Sequence, residues 1–240
     1  LVQVSTASIA GEGKNGTPPQ NKRMAENELY FGQSLENAYI HSKFLAEREV
    51  LVAIKDGLDG KIMRVGNLMS RETDGEFQIN FLTNGFMRQL RGYKALGAFP
   101  VSLMNAPAEF SPIDSTAAAI LKLSAVNKEF TVFHPFNNHS IYMSDVIYAM
   151  NTFGYKIDIV SDEVFAEKLN ATMENEETNE SVSGLIAYLS GDKENQIYMI
   201  DTKNEFTTEV LYRTHYKWPI TDNSYLLHGI EALDGLGFFL

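Results

Sequence analysis

Residues 1–8 read LVQVSTAS, an apolar run over 1–4 that passes directly into small hydroxyl residues. An apolar run of this kind is typical of a buried strand. A helical pattern closed by Gly57 follows at 34–54, and a second short apolar strand pattern lies at 61–65. Because strand, helix and strand follow one another, the sequence predicts half of an α/β sheet.

The alternation continues to about residue 160 and then gives way to helical patterns separated by polar breaks. In the alternating part we expect helices at 80–90, 115–125 and 143–153 and a strand at 130–133. In the later part we expect a small helical lobe with helices at 162–169, 183–189, 205–212 and 225–236. Two segments, 11–32 and 174–180, have the composition of loops.

The composition is that of an ordinary globular protein, 240 residues long and 44% hydrophobic. Since the chain has no cysteine, disulfides, thiolate metal sites and cysteine nucleophiles are excluded. The net charge of -11 argues against a nucleic-acid partner, because phosphate contacts need clustered Lys and Arg. No apolar run reaches the roughly 20 residues of a membrane span. We therefore expect a cytoplasmic protein that binds neither nucleic acid nor membrane.

The start of the chain predicts a fragment. It begins without Met on the apolar run, and no glycine-rich strand-to-helix turn precedes Thr6. The nearby sequence Gly11-Glu12-Gly13 lacks the third glycine and the following helix that a pyrophosphate site requires. We interpret the first, nucleotide-binding half of the domain as missing, and we expect this chain by itself to bind a dinucleotide poorly and to be inactive.

Tyr39 and Lys43 lie four residues apart on the predicted helix and therefore share one face. A free phenol has a pKa of about 10, so proton exchange with a carbonyl oxygen at neutral pH needs a nearby cation that stabilises the phenolate. Lys43 could supply that charge. Taken alone, the pair is explained equally well by a solvated helix face.

Small hydroxyl residues end the first strand, at the sheet edge where open α/β sheets bind their ligands. Thr6 could hydrogen-bond a substrate carbonyl oxygen alongside the Tyr39 hydroxyl, so that developing negative charge meets oriented donors. Ser5 and Ser8 are the alternatives for that contact. The competing interpretation is that this run only turns the chain.

Several motifs then occur in order: the hydroxyl-rich strand end, Gly32-Gln33, NAYIHSKFLAE at 37–47, RVGNL at 64–68, FSPID at 110–114, and a C-terminal segment from Trp218-Pro219 to 236–239. The set resembles the terminal thioester reductase domains of nonribosomal peptide synthetases and, more distantly, carboxylic acid and aminoadipate reductases. The resemblance covers nearly the whole chain. Within the family, the sequence resembles the reductase of a staphylococcal dipeptide synthetase whose product becomes a pyrazinone.

This resemblance implies the fold of an extended short-chain dehydrogenase. The chain would supply the C-terminal part of a Rossmann-type sheet and a small, mostly helical substrate lobe. Residues 1–68 would be the catalytic half of the Rossmann-type domain. Residues 69–240 would be mainly the substrate lobe, with 108–150 partly returning to the Rossmann-type domain.

The resemblance also implies a reaction, the NADPH-dependent release of a carrier-bound peptidyl thioester as an aldehyde, which can cyclise to an imine. The partners would be the peptidyl-phosphopantetheine carrier domain of the same synthetase and the missing N-terminal half. Tyr39 would be the general acid, Lys43 would bind the nicotinamide ribose and assist Tyr39, and Thr6 would polarise the thioester carbonyl. Ser5 would contact the cofactor and Ser8 the substrate.

The residues that follow the second strand, where related dehydrogenases hold the nicotinamide end, are assigned to cofactor contact: Val65, Gly66, Asn67 and Leu68. Gly66 would let the backbone approach the cofactor closely. A plain strand-ending turn is the alternative for all four. Phe86 and Phe110 are candidates for a substrate channel, although aromatic side chains at such positions also fill cores.

Other chemistries lack their sequence signals. The five histidines show no metal-ligand spacing, and we expect solvent-facing roles for them, including His134 and His139. No Gly-x-Ser-x-Gly nucleophile motif occurs. We expect Asp114 to act as the N-cap of the helix at 115–125.

Two other functions remain open. Another extended dehydrogenase, such as a nucleotide-sugar epimerase or dehydratase, could share the same three catalytic residues. A non-catalytic docking module for a carrier protein would need a local basic patch, because carrier proteins are often acidic. Arg88, Arg91 and Lys94 are candidates for that patch.

Overall fold

The computed structural model describes residues 1–10, 23–175, 178–186 and 202–239. The chain divides into two compact units. The first unit comprises Leu1–Leu68, Glu109–Asn138 and Met199–Pro219, and the second comprises Met69–Ala108, His139–Tyr198 and Ile220–Leu240. Each unit is therefore built from separate stretches of sequence.

Short strands and helices of moderate length make up the described residues. The strands are β1 (Val2–Thr6), β2 (Lys61–Val65), β3 (Leu68–Met69), β4 (Ala98–Pro100), β5 (Pro107–Glu109), β6 (Ser111–Pro112), β7 (Val132–Phe133), β8 (Ser140–Tyr142) and β9 (Asp158–Val160). The α-helices are α1 (Ala38–Lys55), α2 (Gly85–Leu96), α3 (Ile113–Ser124), α4 (Met143–Phe153), α5 (Asp162–Met173), α6 (Glu205–Arg213) and α7 (Asn223–Gly235). Turns of 3-10 helix lie at Ala7–Ala10, Phe81–Thr83, Val101–Leu103 and Asn179–Leu185.

The sheet of the first unit consists of the parallel strands β1, β2 and β7, with β2 in the middle. Helix α1 lies between β1 and β2 in the sequence, as a crossover between parallel strands requires. Thr6 stands opposite Val65 in the register. The carboxyl ends of β1 and β2 therefore meet at one edge of the sheet. The predicted α/β class with a parallel sheet is confirmed.

Strand β1 is an outer strand of this three-stranded sheet and is less buried than its apolar sequence predicts. Val2 and Val4 are 40% and 46% exposed, whereas Ser5 and Thr6 are buried. The predicted strand is present as β1, but its start is not buried, because β1 pairs with β2 alone among the described residues. Burial begins where the strand reaches its hydroxyl-rich end.

Local side-chain bonds determine where α1 and α2 begin. Asn37 Oδ1 accepts hydrogen bonds from the backbone of the first turn of α1, at 2.9 and 3.2 Å, so this helix starts at Ala38 and not at 34. Asn84 caps α2 in the same way, and Gly97 ends it with φ of 61°. Helix α2 is therefore shifted towards the C-terminus relative to the predicted 80–90.

A compact apolar cluster fills the space between the sheet of the first unit and its helices α3 and α6. Its buried members are Met63, Val65, Ala119, Leu123, Phe133 and Leu211. Burial of each Val, Leu, Met or Phe side chain stabilises the fold by about 1.5–3 kcal/mol. The packing holds β2, and with it the turn that follows β2, against two helices.

The second unit is mainly helical, with a short parallel pair formed by β4 and β9. The Tyr93 ring contacts Phe99 and Phe165, with ring centres 4.8 and 6.0 Å apart. Of the segment predicted to be a helix at 183–189, residues 183–185 lie in the 3-10 helix Asn179–Leu185, Ile186 is helical, and 187–189 lie outside the described residues. Gly184 lets this 3-10 helix approach α2 closely, because a Cβ there would lie 2.5 Å from the Arg88 carbonyl oxygen.

The predicted loop at 11–32 falls partly outside the described residues, which resume at 23. From 23 to 32 the chain has no helix or strand except an isolated bridge between Met24 and Thr202. No helix within the described ranges combines the length and apolar character needed to cross a membrane.

Candidate functional site

Tyr39 and Lys43 lie on the first half of α1, one turn apart. The Lys43 ammonium nitrogen is 5.9 Å from the centre of the Tyr39 ring and 3.5 Å from the Val4 carbonyl oxygen. The second contact joins α1 to β1, two residues before Thr6. Tyr39 is 55% exposed, so its side chain is accessible to a ligand. The pair is thus held beside the carboxyl end of β1.

Thr6 ends β1 and is 8% exposed. Its Oγ1 accepts a hydrogen bond from the Ser8 backbone N–H at 3.1 Å. Because the oxygen acts as acceptor in that bond, the hydroxyl hydrogen can donate to a substrate oxygen. Ser5 Oγ is buried and has no hydrogen-bond partner among the described residues. A buried hydroxyl without a partner costs free energy, which a bound polar group would recover.

The turn that follows β2, Gly66–Asn67, is packed unusually tightly. A Cβ on Gly66 would lie 2.5 Å from Glu109 Oε2 and 2.6 Å from the Phe136 Cβ. The Asn67 backbone N–H donates to Glu109 Oε2 at 2.6 Å, and the Ser111 N–H donates to the Asn67 carbonyl at 3.0 Å. Glycine is required at 66, since any side chain would displace the Glu109 carboxyl or Phe136.

The residues at this sheet edge fit the nicotinamide end of a dinucleotide. The Ser5 hydroxyl has no hydrogen-bond partner among the described residues. Because β1 and β2 are parallel neighbours, Ser5 lies at the same carboxyl-terminal end of the sheet as Val65 and the Gly66–Asn67 turn. Parallel sheets bind nucleotides at this edge. Lys43 adds a cation that can donate hydrogen bonds to ribose hydroxyls and stabilise an oxyanion. These residues can hold one end of the cofactor.

The residues predicted to contact substrate differ in their surroundings. Ser8 is exposed, and Phe110 is buried in the first unit. Phe86 is buried on α2 of the second unit. Their assignment to substrate contact stays a prediction.

His134 corrects the expectation of solvent-facing histidines, because it is fully buried. Arg64 Nη1 lies 3.0 Å from His134 Nε2, and His134 Nδ1 contacts the Lys203 carbonyl oxygen. Since a carbonyl only accepts, Nδ1 carries the proton and Nε2 accepts from Arg64. Burial, and next the Arg64 charge, lower the pKa of His134 from 6.5 to about 3. His134 is therefore a neutral structural residue.

Arg64 also forms a buried ion pair with Glu47, with the guanidinium nitrogens 2.8 to 3.1 Å from the carboxylate. Both side chains are essentially inaccessible. The pair ties the middle of α1 to β2, and so holds α1 in place against the strand that leads to the Gly66–Asn67 turn.

The structure describes the surroundings of two other groups of residues that the sequence singled out. Asp114 is not the N-cap of α3, because the helix already begins at Ile113 after Pro112, and Asp114 accepts instead from the Ser115 N–H at 2.9 Å. In the proposed basic patch, Arg88 donates to Ser183 Oγ at 2.7 Å and Lys94 to the Phe239 carbonyl at 2.5 Å. These two cations therefore bind groups of their own unit.

Glu109 is the residue of this site that the sequence did not single out. Its signal is weak, a single acid in the largely apolar segment PAEFSP at 107–112. An acid inside a short buried strand is unusual, since a buried charge needs a partner.

Comparison with solved structures places the fold. A thiolation-reductase di-domain from an archaeal nonribosomal peptide synthetase is 37% identical, with a TM-score of 0.87, over 100% of this chain and 49% of that chain. The reductase domain of the aureusimine biosynthetic cluster is 30% identical, with a TM-score of 0.78, over 99% of this chain and 61% of that chain. The predicted similarity to terminal reductase domains is confirmed, together with the extended short-chain dehydrogenase fold.

Sequence comparison gives a consistent result. The large subunit of L-2-aminoadipate reductase from Candida glabrata is 26% identical over 219 residues, which are 88% of this chain and 15% of that protein. The chain thus spans about half of the archaeal di-domain and a small part of the yeast enzyme. A family model of NAD-binding domains described as Male sterility protein matches residues 1–120. The chain therefore belongs to this NAD-binding family.

Proposed function

We propose that the protein containing this chain reduces a carrier-bound peptidyl thioester with NADPH and releases an aldehyde. The support is the Thr6, Tyr39 and Lys43 arrangement at one sheet edge, in a chain 37% identical to an archaeal thiolation-reductase di-domain. The preference for NADPH and the carrier-bound substrate are carried over from the family resemblance.

In this proposal the thioester carbonyl oxygen accepts hydrogen bonds from Thr6 Oγ1 and the Tyr39 hydroxyl. When bound, the cofactor supplies a hydride to the carbonyl carbon. Tyr39 gives its proton to the carbonyl oxygen, and the Lys43 charge stabilises the phenolate that remains. The hemithioacetal then breaks its C–S bond, its hydroxyl proton passes to the carrier thiolate, and the aldehyde leaves.

The single observation that carries the proposal is the position of Lys43. Its bond to the Val4 carbonyl brings the cation on α1 to the strand that ends in Thr6, while leaving it one turn from Tyr39. Ser5, Val65, Gly66, Asn67 and Leu68 are proposed to contact the cofactor at the same edge.

The test is NADPH consumption by the full-length reductase with a dipeptidyl-pantetheine thioester, and aldehyde trapping as the second readout. Tyr39→Phe should lower kcat/KM roughly 10²- to 10⁴-fold, as expected for loss of a general acid. Tyr212→Phe is the matched control, because Tyr212 is 66% exposed on α6 of the same unit. It should retain wild-type turnover.

The same assay separates the two rival functions. Turnover of a nucleotide sugar, with none of any thioester, would replace the proposal by an epimerase or dehydratase. Binding of the carrier domain without turnover of either substrate would indicate a docking module. Equal activity of Tyr39→Phe and wild type would remove Tyr39 from the mechanism.

A further inference from the structure

The Glu109 carboxyl lies under the Gly66–Asn67 turn and is 5% exposed. Oε2 accepts the Asn67 N–H at 2.6 Å and would be 2.5 Å from a Cβ at position 66. The same oxygen therefore bonds one residue of the turn and occupies the space that a side chain on the other would need.

The other carboxyl oxygen belongs to a second set of bonds. Ser111 Oγ donates to Glu109 Oε1, and the Asn137 N–H donates to Ser111 Oγ at 2.8 Å. Asn137 Nδ2 in turn donates to the carbonyls of Phe110 and Pro219 at 3.2 and 3.1 Å. Oε1 is thus held by Ser111 of β6, which in turn binds the segment after β7, while Oε2 binds the turn.

The groups of the described residues that shift the pKa of Glu109 are neutral hydrogen-bond donors. Its hydrogen-bond partners are Asn67, Ser111 and Asn137, and Phe136 packs beside it. No charged side chain of the described residues contributes to its titration. Burial raises the pKa of Glu109 from 4.5 to about 7, partly offset by the hydrogen bonds from Ser111, Asn67 and Asn137. The carboxyl therefore changes charge near neutral pH.

Ser111 can serve both protonation states. Its hydroxyl donates to the ionised carboxylate, and its oxygen can accept the proton of the neutral acid. The bond from Asn67 differs between the states, because a hydrogen bond to a carboxylate is roughly twice as strong as one to a neutral carbonyl. Protonation thus weakens the contact to the turn.

We propose that the Glu109 carboxylate is a positioning residue that holds the Gly66–Asn67 turn in the conformation that binds the nicotinamide end of the cofactor. The inference rests on the proposed function only in taking this turn as a cofactor contact. Cofactor affinity is then highest when Glu109 is ionised and falls as the pH drops through neutrality.

The test measures the Kd and KM for NADPH of the full-length reductase between about pH 6 and pH 8. Glu109→Gln keeps the shape and remains neutral, so at pH 8 its KM for NADPH should be roughly fivefold to tenfold above wild type. The two proteins should converge at pH 6. The kcat should change little, because the substitution is expected to affect cofactor binding and not the chemical step. Comparison with wild type also cancels the titration of the cofactor phosphate.

Ser111→Ala provides a second, independent measurement. It keeps the carboxyl but removes a hydrogen bond that lowers its pKa, so the inflection in NADPH affinity should move to higher pH. Glu167→Gln, an exposed glutamate on α5, is the control and should show the wild-type profile.

The outcomes separate this inference from the proposed function. A pH-dependent NADPH affinity that disappears in Glu109→Gln supports the inference even if no thioester is reduced. Wild-type turnover of thioester, together with an unchanged KM and pH profile in Glu109→Gln, overturns the inference and leaves the function standing. A variant that loses affinity equally at every pH would show a structural role only, which also overturns it.

Discussion

The Lys43 ammonium nitrogen lies 5.9 Å from the centre of the Tyr39 ring while hydrogen-bonded to the Val4 carbonyl oxygen at 3.5 Å. One side chain thereby links the helix that carries the tyrosine to the strand that carries Thr6. This contact places the lysine of the pair beside β1, which a spacing of four residues alone does not show.

Replacement of this cation should reduce catalysis. Lys43→Gln is expected to lower kcat/KM roughly 10²-fold or more, because the phenolate left after proton transfer loses its stabilising charge. Lys43→Arg, which keeps the charge, should retain more activity. Lys55→Gln, an exposed lysine at the end of the same helix, is the control. Full activity of Lys43→Gln in the thioester assay would contradict the assigned role.

Gly66→Ala should destabilise the fold. Its Cβ would meet Glu109 Oε2 at 2.5 Å and the Phe136 Cβ at 2.6 Å, and overpacking of this kind costs about 1–3 kcal/mol. Urea unfolding measures the difference. Gly85→Ala is a useful comparison, because nothing lies within 4 Å of a Cβ there and the site is the first residue of α2. Equal midpoints for wild type and Gly66→Ala would show that the turn has room.

Removal of one partner from the buried ion pair should be costly. Glu47→Gln leaves the Arg64 charge without compensation and is expected to lower the free energy of unfolding by about 3–5 kcal/mol. Glu49→Gln breaks an exposed pair with Arg48 on the same helix and should cost less than about 1 kcal/mol. Similar costs for the two variants would mean that the Glu47 site admits water.

Buried His134 predicts acid sensitivity. Its pKa in the folded protein, about 3, lies below the ordinary 6.5, so only the unfolded chain binds the proton between these values. The stability that it contributes is complete above about pH 6.5 and is lost, by roughly 1.4 kcal/mol per pH unit, as the pH falls towards 3.

His134→Gln should remove that slope from the free energy of unfolding, measured by denaturant titration at several pH values. His228→Gln, at an exposed position on α7, should leave it unchanged. If the free energy of unfolding of wild type and of His134→Gln changed equally between pH 6 and pH 4, the histidine would be protonated in the folded state as well.

Local patterns predicted much of the framework. Strand β2 occupies the predicted 61–65 and α4 the predicted 143–153, because continuous apolar runs and helical periodicity are properties of neighbouring residues. The Tyr39 and Lys43 spacing on α1 follows from helix geometry in the same way. Errors at helix starts, as at α1 and α2, reflect asparagine caps that composition alone does not distinguish from loop residues.

The sequence by itself thus determined the α/β class, the helix that carries Tyr39 and Lys43, and the hydroxyl-rich end of β1. Only the tertiary structure decided that His134 is buried against Arg64 and that Glu109 lies under the Gly66–Asn67 turn. The physical reason is that burial and partner choice depend on residues far apart in the chain. Glu109 and Asn67 are separated by 42 positions, and no local pattern records that they meet.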